Sequence, residues 1–154
     1  MTFRLSAIDP ADHEALFALD DEALQRLGAR RCIADREHGF PCRVSLEDAK
    51  VGEEVLLLSY EHQPHPPYRA SGPIFIRRGA IRRDLPPGVV PPYVTTRLVS
   101  MRAYDAVHML VHAAVHPGDD VARELVHMFG NEAVAYVHLH NARYGCFFCV
   151  AERA

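Results

Sequence analysis

The stretch Tyr136-Val-His138-Leu-His140-Asn141-Ala-Arg143-Tyr144-Gly145-Cys146 is the densest run of chemically capable side chains in the 154 residues. On an extended backbone successive side chains alternate faces, so His138 and His140 point the same way. Imidazoles at i and i+2 can jointly hold a divalent transition metal, or one of them can act as a general base. These two histidines are the candidate catalytic residues and the candidate metal ligands. A metal needs further donors. His62, His65, Cys42, Cys146 and Asp105 are available, and no spacing rule selects among them. The competing reading has His138 and His140 simply hydrogen-bonded on a half-exposed sheet face, which a chain with 10 histidines makes easy to reach by coincidence.

Two other constellations use different chemistry. Cys42 stands before a short helical turn beside Arg43, an arrangement that favours a thiolate, with His138 or His140 as base and Asn141 as orienting group. The order Cys, His, Asn occurs in thiol hydrolases, but no motif supports it here, and a buried cysteine beside a structural arginine is the alternative. The second constellation is anion-recognising. Arg43, Arg102 and Arg143, with Tyr60, Tyr68, Tyr104 and Ser71-Gly72, could cradle a carboxylate or phosphate. Arg102 shares the polar face of its strand with Ser100 and Tyr104. The candidate ligand-binding set is therefore Cys42, Arg43, Tyr60, His62, Arg102, Tyr104, Asn141 and Arg143. Cys146-Phe-Phe-Cys149 has redox-like spacing, yet its two phenylalanines suit a strand, so these cysteines read as core thiols.

The elements that must position these groups follow from pattern. Residues 11–19 and 20–28 read as two short helices, the second capped by Asp20 or Asp21 and stopped by Gly28. A β-rich body covers 31–116: a short strand at 31–35, a helix entry at Ser45–Asp48, a buried strand ending at Tyr60, a proline-rich loop at 61–68, a strand at 72–77, a second proline-rich connection at 85–92, and strand character over 95–105. Segment 107–116 admits a helix that stacks His108, His112 and His116. It also admits a strand with Met109, Val111, Ala113 and Val115 on one face and His112 and His116 on the other. Clean alternation favours the strand, with the histidines as a polar outer face. A helix at about 119–129 turns Val121, Leu125, Val126 and Phe129 inward. A terminal hairpin runs over 133–151, with Ala133, Ala135, Val137 and Leu139 on its apolar side. Connections this short exclude most parallel crossovers. The expected fold is α+β: one domain over 1–154, with a mainly antiparallel, curved or barrel-like sheet and three or four short helices.

Composition limits the function classes. Seventeen Lys+Arg against 20 Asp+Glu give a formal charge of −3. Scattered arginines without a basic stripe exclude a nucleic-acid surface, and Lys50 is the only lysine. No phosphate-loop or dinucleotide fingerprint is present. No apolar run is long enough to span a bilayer, and the N-terminus does not read as a signal peptide, so a cytoplasmic setting without membrane attachment is expected.

The blocks Phe40-Pro-Cys-Arg-Val-Ser-Leu-Glu-Asp-Ala49, Val51-Gly-Glu-Glu-Val-Leu-Leu-Leu-Ser-Tyr-Glu-His62, Tyr68-Arg-Ala-Ser-Gly-Pro-Ile-Phe75, Leu98-Val-Ser-Met-Arg-Ala-Tyr-Asp105 and Val137-His-Leu-His-Asn-Ala-Arg143 with Gly145-Cys146 resemble the bacterial domain-of-unknown-function 1203 family. The resemblance implies a single small bacterial domain, a turn around Asp105, and convergence of these blocks in one cleft. It carries over no activity, substrate or cofactor. The leading expectation is an uncharacterised domain with a polar cleft that binds or transforms a small anionic or metal-associated ligand, as monomer or homodimer. The rival is a non-catalytic interaction module that uses a sheet edge or the proline-rich loops.

Overall fold

Two-residue alternation of buried and open positions makes this chain a strand former, and the computed structural model, which describes residues 2–154, contains ten strands. They are β1 (Phe3–Ser6), β2 (Arg30–Ile33), β3 (Pro41–Cys42), β4 (Glu47–Asp48), β5 (Glu54–Gln63), β6 (Ala70–Arg77), β7 (Leu98–Tyr104), β8 (Leu110–Pro117), β9 (Tyr136–Asn141) and β10 (Phe147–Arg153). The α-helices are α1 (Asp21–Arg26), α2 (Pro92–Thr95) and α3 (Val121–Phe129), with single 3₁₀ turns at Pro10–Asp12, Glu14–Ala18 and Gly118–Asp120.

The strands form two five-stranded sheets, in the orders β1-β10-β9-β7-β8 and β2-β5-β6-β3-β4. Neighbours are antiparallel except β3 beside β6. The mixed, mainly antiparallel class agrees with the sequence reading; the barrel-like sheet does not. Neither sheet closes: the first keeps β1 and β8 as its edges and the second β2 and β4. The second sheet ends in β3 and β4, only two residues each.

Each element has a local cause. The Asp20 carboxylate accepts the Ala23 amide at 2.8 Å, starting α1, and Leu24 anchors it in the core. Helix α3 buries Val121, Leu125, Met128 and Phe129, the spacing of one helical face. Val126, expected inward, lies half-exposed, and Met128 takes its place in the core. The helix expected from Ser45 is a turn between β3 and β4. Leu46 closes it onto the Cys42 carbonyl at φ 51°, a backbone angle no helix propagates.

One core lies behind the first sheet, where Val99, Met101, Ala103, Val137 and Leu139 pack with Leu125 and Phe129. Another lies between the sheets, where Leu56, Leu58, Ile74 and Ile76 meet Phe147. The strand reading of 107–116 holds in β8, but its faces are reversed. Pairing of Val99 with His116 and of Ala103 with His112 turns the histidine face toward α3. There the Nε2 atoms of His112 and His116 approach the Glu124 carboxylate at 3.8 and 3.4 Å. Ala113 and Val115 are exposed on the opposite face.

Candidate metal centre

Register places the candidate residues. Across the face of the first sheet turned to the second, the cross-strand pairs read Phe147, His140, Ser100, Val115 in one row. The next row is Val150, His138, Arg102, Ala113. The opposite face of β9 sends Val137 and Leu139 into the core, so the alternation expected for the terminal strand is what presents both imidazoles here. Above them runs β5, whose Leu56, Leu58 and Tyr60 pack inward on the same side as His62.

His62, His138 and His140 form a cluster in which one ligand atom from each lies within 4.8 Å of the others. His138 is 4% exposed and His140 fully buried. Their surroundings are aromatic. The Phe147 ring stacks on His62 at 5.5 Å and meets His138 and His140 edge-on at 5.4 and 5.7 Å. Arg43 holds that phenylalanine in place: its Nε donates to the Phe147 carbonyl at 2.7 Å, and its Nη1 donates to the Pro41 carbonyl.

Burial, first of all, keeps the cluster neutral. It pushes the pKa of His138 and of His140 down to about 3, with smaller contributions from neighbouring imidazoles and from Arg102. The His62 pKa is lowered by burial and then by Arg102. No Asp or Glu is among the charges acting on any of the three. Tautomer follows from the turn between β9 and β10. The Gly145 carbonyl lies 3.1 Å from His140 Nδ1, and a carbonyl only accepts, so Nδ1 carries the proton and Nε2 keeps its lone pair. That Nε2 is buried without a partner, and so are His62 Nδ1 and His138 Nδ1. Three neutral imidazoles, each with one orphaned buried nitrogen, meet the chemical requirement of a zinc- or iron-type site. Tetrahedral bonds of ordinary length separate ligand nitrogens by about 3.3 Å, closer than the 4.8 Å within which these three atoms lie.

The other expected residues take different places. Tyr104 is buried, stacked on Tyr136 at 5.2 Å and edge-on to His138 at 5.1 Å. Tyr60 packs on Phe147, and burial raises its pKa. Cys42 is fully buried in the core, its Sγ receiving the Arg77 amide at 3.3 Å, and no helix follows it. Arg43 is likewise buried, its Nε and Nη1 donating to carbonyls, and it lines the wall of a separate cavity on the outer face of β5 and β6. Asn141 builds the β9–β10 turn, accepting the Arg143 and Tyr144 amides at 2.9 and 3.2 Å, while the Arg143 side chain is exposed. His65 lies outside the cluster, stacked on His108 at 3.5 Å. Cys146 and Asp105 also lie outside it. Sequence reasoning did not single out Phe147, nor a hydrogen-bonded wall beside the site. In that wall Gln63 Nε2 donates to the Tyr136 hydroxyl at 2.9 Å, and that hydroxyl lies 2.9 Å from His108 Nδ1. The signal for Phe147 was its place opposite His140, visible only once register is known.

A cavity of about 390 Å³ opens on the outer face of β5 and β6, lined by Leu57, Pro73, Phe75, Arg97, Tyr144 and Cys146 among others, and by none of the three histidines. Two of the expected site residues, Arg43 and Asn141, also line it; Arg97 is paired with Asp48 at 2.5 Å, Arg43 donates to carbonyls, and Asn141 Oδ1 accepts turn amides. The histidine cluster is the stronger candidate.

The model of the family described as "Protein of unknown function (DUF1203)" matches residues 39–153, and the chain belongs to that family. No curated protein and no solved structure matches it. No helix among the described residues is long and apolar enough to cross a membrane.

Proposed function

We propose that the chain is a metal-binding protein in which His62, His138 and His140 hold one divalent transition-metal ion, and that a small ligand is bound or transformed at the ion's remaining coordination positions. One observation carries this reading: three buried imidazole nitrogens without hydrogen-bond partners, on residues whose donor atoms converge within 4.8 Å. Leaving such atoms unpaired costs about 1–3 kcal/mol each, and a shared ion removes that cost. Imidazole donors suit zinc, iron, copper or nickel. Three neutral ligands leave the full charge of the ion available to polarise a bound oxygen or to acidify a bound water. The absence of acidic ligands argues against calcium or magnesium, which prefer oxygen donors.

Elemental mass spectrometry on protein purified without a polyhistidine tag tests the proposal, alongside His62→Ala and the double variant His138→Ala/His140→Ala. Near-stoichiometric zinc, iron, copper, nickel or manganese in the wild type, lost in both variants, is the expected result. Wild-type protein that stays metal-free after reconstitution with each of these ions overturns it.

A further inference from the structure

The two rows of side chains continue past the histidines onto a shelf of β7 and β8. Ser100 and Arg102 are half-buried there, and Ala113 and Val115 are exposed. Arg102 is conspicuous for what it lacks. Among the described residues it makes no hydrogen bond and no ion pair, whereas Arg31, Arg77 and Arg97, similarly or more deeply placed, are each matched to a carboxylate. Even the fully buried Arg43 spends its guanidinium on carbonyls, whereas that of Arg102 is left without a partner among the described residues. Arg102 stands directly across the sheet from His138, and its charge reaches all three imidazoles.

A divalent ion on the histidines would set two cationic centres side by side with no protein carboxylate acting between them. An anion touching both turns that repulsion into attraction. The planar fork of a guanidinium matches a carboxylate in two parallel hydrogen bonds. Beyond Arg102, Ala113 and Val115 offer apolar surface rather than further donors, which suits a short hydrocarbon body better than a second charged group. Ser100, in the row of His140, supplies a hydroxyl at the inner edge.

We propose that this shelf seats a small aliphatic monocarboxylate, its carboxylate bridging Arg102 and the metal and its hydrocarbon part lying on Ala113 and Val115. The proposal rests on the metal-centre reading above. It names the class of ligand that the centre takes and assigns Arg102 as the residue that selects for charge.

The test uses full-length protein loaded with Co²⁺, whose visible spectrum reports its coordination, titrated with isovalerate. Saturable spectral change is expected in the wild type, with little change from the neutral isovaleramide. Arg102→Gln should bind Co²⁺ as the wild type does, because Arg102 is not a ligand, yet bind isovalerate about 10- to 100-fold more weakly. Ala113→Asp, an exposed substitution that adds a like charge to the shelf, should weaken isovalerate in the same direction, and it decides the matter should Arg102→Gln lose the ion. Bound Co²⁺ with a spectrum indifferent to isovalerate, equal affinity in Arg102→Gln, or inorganic phosphate binding as tightly as isovalerate overturns the carboxylate seat while leaving the metal centre standing. Failure of the wild type to take up Co²⁺ or any of the ions named above overturns both, and uptake of another of those ions without Co²⁺ moves the titration to that ion, followed by calorimetry with the same outcomes.

Discussion

An imidazole held neutral by burial makes stability depend on pH, and the sign follows from which form the fold tolerates. His138 and His140 have pKa values lowered from 6.5 to about 3. The unfolded chain therefore takes up protons below about pH 6.5 that the fold refuses until about pH 3. Their contribution is fully present above pH 6.5 and is lost as pH falls through that window. For chelator-treated protein, lowering pH from 7.5 to 5 should cost about 2 kcal/mol per histidine in urea denaturation. A His138→Gln/His140→Gln variant should show a visibly smaller loss, and equal losses in the two proteins would refute the assignment. The thiols give a second check. Cys42 and Cys149 are fully buried, and burial pushes the Cys149 thiol up to about 12, whereas Cys32 and Cys146 are partly open. Iodoacetamide at pH 8 should label Cys32 and Cys146 in the native protein and spare the other two until denaturant is added. Rapid native labelling of Cys149 would contradict that placement.

The β9–β10 turn shows how one element sets the chemistry of another. Gly145 adopts φ 81°, donates its amide to the Asn141 carbonyl at 2.7 Å, and aims its own carbonyl at His140. A Cβ there would meet open space, so the cost of Gly145→Ala is the backbone's alone, about 1–2 kcal/mol. Gly145→Asn should cost less, since asparagine tolerates this region. Thermal unfolding of the two variants measures the difference, and equal stability would show that the turn relaxes. Much of this element was legible beforehand: alternation in 136–140 placed both histidines on one face and Val137 and Leu139 on the other. The third histidine, His62, was among the candidate donors, but nothing in the sequence selected it over His65, Cys42, Cys146 or Asp105. Prolines 64, 66 and 67 made 61–68 read as loop, but β5 runs on to Gln63, and those extra extended residues carry His62 over β9. The reversal of β8 was equally hidden, because alternation reveals two faces without saying which one α3 will cover. Arg43 and Cys42 looked like site residues by type. Only packing shows that one is spent on carbonyls and the other on the core.

At the scale of the molecule, the three histidines come from both sheets, His62 from one and His138 and His140 from the other. An ion shared among them would fasten the sheets together, and ligand binding to the native state alone stabilises by about 2.7 kcal/mol at a hundredfold excess over Kd. Reconstitution with zinc should therefore raise the melting temperature by roughly 5–10 °C. The His62→Ala protein should show no rise, and a rise equal to the wild type's would place the ion elsewhere. The first sheet has a further consequence, in its assembly. Strand β10 lies between β1 and β9, with Phe3 opposite Arg153. A chain growing from its N-terminus must keep β1 without its neighbour through the synthesis of every intervening segment. The sheet that carries two of the histidines thus forms late and through contacts distant in sequence, which slows folding. Until then β1 and β9 are open edges that a chaperone must cover or a neighbouring nascent chain can capture.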